Sequence, residues 1–272
     1  MSKKVDYTAH KISGSIAIDG NIEKPVWQNA HWSKRFVDMV TGDFAIYNTQ
    51  TAMLWNDSHL YIAFKAEEPF VEAKLTERDS IIFLESDLEL FIDGGDCYYE
   101  LEVNAANTIY EVFFIWRDAY KKGGKFDIPT FDVHQDNAYT FGGDYDRVGA
   151  TFWRGTHPRG IRWAFTNFDL PDLQTAVKVD GTINDNSDID KGWSLEIAIP
   201  WQSLKLLANG RSLPPQHGDI WQMFLGRFQK LMVAGKEVQP HPAWASNAHG
   251  VYDTHLPDKW SRILFEEVKN EK

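Results

Sequence analysis

The sequence predicts an all-β protein, an antiparallel β-sandwich of immunoglobulin or jelly-roll type with long inserted loops and few short helices. The first observation is the alternation of apolar and polar residues in short segments separated by Gly, Asn, Asp or Pro, which is typical of strands joined by turns. The second is the sparse helical signal, limited to single turns near residues 23–27 and 201–207. Many short strands of this kind pack as a sandwich or a barrel.

Strand patterns recur along most of the chain. The predicted strands are 15–18, 51–55, 60–66, 86–93, 96–104, 108–116, 193–199, 220–229 and 262–268. Turn-forming residues lie between them, because Asp19-Gly20 ends the first strand, residues 56–58 close the first hairpin and Pro200 ends the strand over 193–199. The segment 108–116 is rich in β-branched and aromatic residues, which fit a pleated sheet.

The hairpin over residues 86–104 carries carboxylates on one face. Strict alternation puts the apolar residues of both strands on one side and these residues on the other: Asp87, Glu89, Phe91, Asp93, Glu100, Glu102 and Asn104. If Gly94-Gly95 forms a two-residue turn, Glu89 lies opposite Glu100, and Asp87 lies opposite Glu102. Like charges directly opposed destabilise a sheet. The face is therefore solvated, or it binds ligand hydroxyls, or it binds a hard cation such as calcium through Asp87 and Glu100.

Composition bounds the classes of function. The chain has 272 residues, 43 % of them hydrophobic, which is enough for a sizeable core in one domain over 1–272. Its net charge of −11 argues against nucleic acid as a partner, since phosphate binding relies on Lys and Arg. No run of about 18 apolar residues is present, so no membrane span is predicted. The N-terminus lacks an apolar stretch typical of a signal peptide, which fits a cytosolic protein or a processed chain.

The cysteine content also limits the kinds of site that the protein can contain. Cys97 is the single cysteine, which excludes an internal disulfide and a cysteine-based zinc site. Its position on the apolar face of a strand predicts a buried side chain. No Gly-x-Ser-x-Gly nucleophile elbow, His-x-x-x-His pair or phosphate-binding glycine loop is found.

The segment from about 118 to 190 differs in composition from the rest of the chain, because glycine, aspartate and aromatic residues lie close together in it. It lacks a periodic apolar pattern of its own, so we interpret it as a loop-rich insertion with short strands. Loops of this length in a compact domain are usually functional. Its acidic stretch 180–190 has the composition of a calcium loop but lacks the terminal glutamate of an EF-hand, which favours turn formation.

Five segments, in this order, resemble carbohydrate-binding module family 9. They are 18–27 (IDGNIEKPVW), 54–64 (LWNDSHLYIAF), 86–93 (SDLELFID), 192–201 (GWSLEIAIPW) and 244–260, which runs from Trp244 to Trp260. The resemblance covers nearly the whole chain. It implies a β-sandwich that holds the end of a sugar chain in a shallow slot, between two aromatic rings and among polar side chains.

The resemblance also implies positions for the sugar-binding residues. The two clamp rings map to Phe83 and Tyr252, where the family usually has tryptophan. The polar partners map to Glu89, Glu102, Asn104 and Arg227. It further implies an extracellular or periplasmic location and a polysaccharide-degrading enzyme as a partner.

Aromatic residues make up 14 % of the chain, and most must fill the core. The predicted core aromatics are Trp27, Trp55, Tyr61, Phe64, Trp193 and Trp221. The predicted ligand-contacting aromatics are Phe83, Trp153, Trp163, Trp244 and Tyr252, because these lie in loops and a ring can cover the apolar face of a sugar. Arg154, His157 and Arg159 in the insertion would suit an acidic sugar.

Three functions remain open from the sequence. The first is non-catalytic carbohydrate binding in polysaccharide catabolism, with no cofactor other than calcium. The second is a glycoside hydrolase or sugar lyase that uses a carboxylate pair on the same scaffold, because hydrolysis needs two suitably separated carboxylates. The third is an interaction module whose exposed aromatic residues meet a protein partner.

Overall fold

The computed structural model describes residues 4–142 and 157–267, and most of its regular structure is β-strand. The strands are β1 Tyr7–Lys11, β2 Val37–Asp38, β3 Thr49–Trp55, β4 His59–Glu67, β5 Asp87–Asp93, β6 Cys97–Asn104, β7 Ile109–Trp116, β8 Ala138–Phe141, β9 Arg162–Phe165, β10 Gln174–Asp180, β11 Gly192–Pro200, β12 Ile220–Phe228, β13 Met232–Val233, β14 Lys236–Glu237, β15 Ala243–Ala245 and β16 Ser261–Glu266. The helices are α1 Pro25–Gln28 and α2 Lys205–Ala208, with 3₁₀ turns at Ile82–Leu84, Pro129–Phe131, Trp201–Leu204 and Pro257–Lys259.

Fourteen of the described strands form one hydrogen-bonded sheet. Its order is β10-β11-β4-β3-β1-β16-β12-β5-β6-β7-β9-β8, and β15 joins it by pairing with both β12 and β2. β1 pairs in parallel with β3 and β16, whereas the other pairings between described strands are antiparallel. No helix in the described ranges is long and apolar enough to cross a membrane.

The two halves of this sheet share one core, which makes the fold a β-sandwich. Met53 and Ile62 of the β3–β4 half belong to the same buried cluster as Leu90 and Leu225 of the β5–β12 half. Side chains pointing the other way form two smaller clusters on the outer faces. The predicted fold class is thus confirmed. The predicted core aromatics are all buried, namely Trp27, Trp55, Tyr61, Phe64, Trp193 and Trp221.

One predicted strand is wrong. Residues 15–18 form no strand, and the first strand is β1, earlier in the chain. Ile16 and Ile18 nevertheless pack on the outer face of the β3–β4 half. An alternating pattern reports which side chains are buried, and an extended loop lying over a sheet can bury alternate residues without joining its hydrogen bonds.

The turn of the acidic hairpin differs from the predicted one. Gly94 N–H donates to the Cys97 carbonyl at 2.8 Å, so Gly95 and Asp96 occupy the turn. Gly95 has φ of +73°, a left-handed conformation that favours glycine. The strand register is therefore shifted by two residues from the expected one.

This shift changes which side chains face one another. Glu89 is paired with Glu102, Asp87 with Asn104 and Phe91 with Glu100, so the predicted pairs Glu89–Glu100 and Asp87–Glu102 are wrong. Because the side-chain period of a strand is two, a shift of two residues leaves every side chain on its predicted face.

The 118–190 segment contributes to the sheet and to the core. β8 and β9 extend the sheet beyond β7, and β10 pairs with β11. Several of its apolar side chains are buried in the main core, namely Phe126, Phe131, Phe165, Phe168 and Leu170. Trp153 and Arg154 lie outside the described residues.

Cys97 lies buried at the start of β6, as predicted. Its Sγ is 3.4 Å from the carbonyl oxygen of Leu206 in α2. Burial raises the pKa of this thiol to about 12. The thiolate, which is the reactive form, is therefore disfavoured at neutral pH.

Candidate ligand-binding cavity

A cavity of about 430 Å³ lies over the acidic face of the β5–β6 hairpin. This volume falls within the range of roughly 300–1,000 Å³ typical of small-molecule sites. Three carboxylates of the hairpin line it, those of Glu89, Glu100 and Glu102, and Asp253 lines it from a loop. Aromatic rings also line it, including Phe83, Tyr110, Phe228 and Tyr252.

Strand alternation brings the carboxylates together. Glu89 on β5 lies directly across from Glu102 on β6, and Glu102 lies across from Tyr110 on β7. On the other side of β5, Gly226 of β12 pairs with Glu89. Side chains at such directly paired positions share one face of the sheet. The face that carries these carboxylates on β5 and β6 therefore continues onto β7 through Tyr110.

The carboxylates are buried, which contradicts the interpretation of the hairpin as a solvated outer face. Asp87 is 0 % exposed, Glu89 and Glu102 are each 3 % exposed, and Glu100 is 4 % exposed. One oxygen of each is buried without a hydrogen-bond partner in the described structure, namely Asp87 Oδ2, Glu89 Oε2, Glu100 Oε2 and Glu102 Oε2. A buried, unpaired carboxylate oxygen is costly, so these atoms are available to a ligand.

This burial changes the acidity of the cluster. Desolvation raises the pKa of Asp87, Glu89 and Glu102 well above the usual carboxyl range. It raises the pKa of Glu100 to about 8. Neighbouring carboxylates add to the effect at Glu89 and Glu102, since like charges disfavour ionisation.

Two of the cavity's rings are the predicted clamp residues. Phe83 lies on the 3₁₀ turn before β5, is 40 % exposed, and makes an edge contact with Tyr110 at 5.8 Å between ring centroids. The hydroxyl of Tyr252 donates to the His241 carbonyl at 2.6 Å, which fixes the ring beside Phe228. The structure thus brings Phe83, Glu89, Glu102 and Tyr252 to one cavity.

Arg227, a predicted ligand residue, does not line the cavity. It is paired with Leu88, whose side chain lies in the main core, so it points to the sheet face opposite the carboxylates. Its guanidinium is 3.2 Å from Glu68 Oε2 and donates to Thr49 Oγ1 at 2.9 Å. These contacts give Arg227 a structural role inside the sandwich.

Trp244 and Asn104 are also outside the cavity lining. Trp244 is on β15 rather than in a loop, is 2 % exposed, and packs below Arg227 at 5.3 Å. Asn104 Oδ1 accepts from the backbone N–H groups of Ala106 and Thr108, each at 3.0 Å. Asn104 thereby stabilises the turn between β6 and β7.

The described basic residues of the insertion are engaged elsewhere. Arg159 forms ion pairs with Asp96 and Asp118, both at 3.0 Å. His157 packs against Trp116, and Trp163 is half-buried against the main core. The cavity lining includes none of the three residues that the sequence predicts as ligand contacts in this region, which are His157, Arg159 and Trp163.

The acidic stretch 180–190 is used for turns, as the sequence favours. Both oxygens of Asp190 accept backbone N–H groups, from Val71 at 2.8 Å and Thr182 at 2.6 Å. Asn184 bonds the backbone of Ala73 through both ends of its side-chain amide.

Sequence reasoning missed several cavity residues. Tyr110 follows from the register, because it faces Glu102 on the next strand. His241, Asp253 and His255 come from the loops flanking β15 and have no periodic signal that could have identified them. The Nδ1 atom of His255 lies 3.0 Å from the Tyr98 hydroxyl and 3.7 Å from Glu100 Oε2.

Comparisons with known proteins support this fold. No protein-family model matches the chain, and no curated protein is significantly similar to it in sequence. A structure from Bacteroides uniformis, of a protein proposed to bind carbohydrate, matches with a TM-score of 0.58 and 12 % identity, over 95 % of this chain and 98 % of that one.

Two further matches are structures of a family 9 carbohydrate-binding module from Caldicellulosiruptor kristjanssonii. The complex with cellotriose has a TM-score of 0.50 and 12 % identity, over 97 % of this chain and 95 % of that one. The complex with glucose has a TM-score of 0.51 and 13 % identity, over 97 % of this chain and 98 % of that one. The chain therefore has the β-sandwich fold of family 9 modules.

Proposed function

We propose that this protein binds a single sugar or the end of an oligosaccharide in the cavity over β5 and β6, without cleaving it. The observation that carries the proposal is the set of buried carboxylates with unpartnered oxygens in a cavity with aromatic walls. A sugar has an apolar C–H face, which a ring can cover, and hydroxyls, which carboxylates can accept.

The fold supports the same function. The family 9 modules that share it were crystallised with cellotriose and with glucose. We therefore propose glucose and cello-oligosaccharides as the first ligands to test. A polysaccharide-degrading enzyme is the partner that we propose for such binding, and it would act outside the cytoplasm.

Titration calorimetry with glucose and cellotriose, followed by a glycan array, tests the proposal. Replacing Phe83 by Ala should weaken binding about tenfold, because a ring that covers the sugar contributes more than about 1 kcal/mol. Phe44→Ala is the matched control, since Phe44 is also an exposed phenylalanine, at 76 %, and lies outside the cavity. A folded protein that binds no glycan on the array would contradict the proposal.

The same samples separate binding from catalysis. We expect cellotriose to be recovered intact after prolonged incubation with the protein. Shorter products that disappear in Glu102→Gln would overturn the non-catalytic assignment and favour a hydrolase that uses this carboxylate.

A further inference from the structure

We propose that Asp87, Glu89 and Glu102 bind a divalent cation of the hard, oxygen-preferring class to which calcium belongs. The site lies at the base of the cavity, on the sheet face shared by β5 and β6. It is independent of sugar binding, because the three carboxylates alone define it.

The spacing of the three carboxylates suits a bound cation. One oxygen from each residue lies within 4.8 Å of the others. Calcium binds oxygen at about 2.3–2.6 Å, so two of its ligands can be up to about 5 Å apart. Magnesium binds at about 2.0–2.1 Å, which limits the separation to roughly 4.2 Å. Oxygens grouped this closely can converge on one calcium ion with small adjustments of the side chains.

Each of the three carboxylates also has an oxygen that is free to act as a metal ligand. Asp87 Oδ2, Glu89 Oε2 and Glu102 Oε2 are buried and have no hydrogen-bond partner among the described residues. Oxygen donors of this kind, held together and shielded from water, are what a hard cation requires. Glu100 Oε2 is a fourth buried oxygen without a hydrogen bond, one residue pair along the same face.

In the part of the chain that the structure describes, the three carboxylates also lack a basic side chain that would balance their negative charge. Within the described ranges, no Lys, Arg or His forms an ion pair with Asp87, Glu89 or Glu102. Arg227, on the neighbouring strand, pairs with Glu68 instead. Adjacent buried carboxylates cannot all be ionised without a positive charge close by. A divalent cation supplies that charge.

The position of the ion would also make it accessible to ligands. Calcium takes about 6–8 oxygen ligands, more than three carboxylates provide when each gives one oxygen. Glu89 and Glu102 line the cavity, so remaining positions could be filled by water or by ligand hydroxyls. This last step, in which a sugar coordinates the ion, rests on the proposed carbohydrate-binding function.

The test uses the full chain treated with EDTA and titrated with CaCl₂ in a calorimeter. We expect one calcium per chain. Glu102→Gln keeps the shape of the side chain and removes its charge, and it should weaken calcium binding at least tenfold. Asp188→Asn is the matched control, because Asp188 is exposed in the acidic stretch 180–190; it should leave the affinity unchanged.

Two results would overturn the site. Absence of calcium binding by the folded, EDTA-treated protein would mean that the cluster is neutralised by protons. Calcium binding that survives Glu102→Gln and Asp87→Asn but is lost in Asp188→Asn would place the ion in the acidic loop. Circular dichroism of each variant verifies that it is folded.

Sugar titrations with and without EDTA separate the two proposals. Calcium binding in a protein that binds no sugar would leave the cation site standing and remove the proposed function. Sugar binding that is the same with calcium or EDTA, in a protein that does not bind calcium, would remove the cation site alone.

Discussion

Arg227 carries a guanidinium that is fully buried within the sandwich. It contacts Glu68 Oε2 at 3.2 Å, Thr49 Oγ1 at 2.9 Å and the Glu67 carbonyl at 2.9 Å, and it also donates to Gln229. A buried ion pair adds little net stability, but loss of one partner leaves an uncompensated charge. Arg227 is therefore important for folding although it does not touch the cavity.

Replacing Arg227 by Met should lower the free energy of unfolding by about 3–5 kcal/mol, because buried Glu68 would lose its cationic partner. Urea unfolding measures this loss. Adding Glu68→Met to the variant should restore part of the stability. Sugar affinity of the folded variant should stay within about twofold of wild type, whereas a large loss of affinity at unchanged stability would return Arg227 to the binding site.

Residue placement shows what the sequence can predict about this site. Alternation was sufficient to place Glu89 and Glu102 on one face, and the resemblance located Phe83 and Tyr252 near it. The sequence did not reveal that Arg227 points away from the cavity, because the face of a residue on β12 depends on its pairing with β5. That pairing joins segments more than a hundred residues apart, and no local pattern encodes it.

At the scale of elements, Glu196 of β11 connects two of the sequence segments that characterise the fold. It is 0 % exposed, and its carboxylate accepts the backbone N–H of Gly20 at 2.8 Å and the Trp27 indole N–H at 2.6 Å. The ammonium of Lys24 lies 2.7 Å from the same carboxylate. One buried carboxylate therefore joins the segments 18–27 and 192–201 in the folded protein.

Glu196→Ala should reduce the free energy of unfolding by about 3–5 kcal/mol, since it leaves the buried Trp27 indole and Gly20 N–H without their acceptor and removes one partner of Lys24. Thermal or urea denaturation gives the value. Glu23→Ala is the control, because Glu23 is an exposed acidic residue of the same loop, and its loss should matter little. Equal effects of the two substitutions would show that Glu196 does not hold the loop to the sheet.

The positions and faces of the strands were easier to predict from the sequence than the residue pairs between neighbouring strands. The faces of the β5–β6 hairpin follow from alternation, but the register depends on whether Gly94-Gly95 or Gly95-Asp96 forms the turn. A two-residue slip keeps every face and changes every pair. The sequence therefore supports a statement about which side chains face the cavity more strongly than one about which of them are adjacent.

For the molecule as a whole, the 118–190 segment is part of the core as well as a source of loops. Phe131 is 0 % exposed and stacks on Phe113 of β7 at 4.8 Å between ring centroids. The sequence suggested no core in this segment, because its buried aromatic residues lie in turns and short strands without a period. Tertiary packing buries them against strands that the rest of the chain provides.

Phe131→Ala should cost about 3–5 kcal/mol of unfolding free energy, the usual effect of removing a buried phenylalanine ring. Ile189→Ala, at a side chain that is 78 % exposed in the same segment, should change it by less than about 0.5 kcal/mol. Denaturant unfolding of both variants makes the comparison. Similar stabilities would show that this segment is a peripheral loop.

Stability should also depend on pH through His249 and His255. Burial lowers the pKa of both, that of His255 well below its usual range, so both are neutral in the folded protein. In the unfolded chain they take up protons below a pH of about 6.5. The contribution of each histidine to the unfolding free energy should therefore fall as pH decreases below about 6.5, by up to roughly 1.4 kcal/mol per pH unit.

Urea unfolding of wild type and His249→Gln at a series of pH values isolates one histidine. The stability of the variant relative to wild type should rise as pH decreases below about 6.5. The buried carboxylates of the cavity contribute with the opposite sign, but they are present in both proteins and cancel in the difference. Parallel pH profiles would show that His249 is protonated equally in the folded and unfolded states.

The inaccessible thiol of Cys97 makes the protein suited to site-specific labelling. An exposed thiolate attacks maleimide and other thiol-reactive dyes, whereas the chain's single native cysteine is buried and held protonated. A new cysteine at position 84, an exposed leucine on the rim of the cavity, would take up one fluorophore per molecule. Its emission would then respond to occupancy of the cavity and serve as a reagentless sensor.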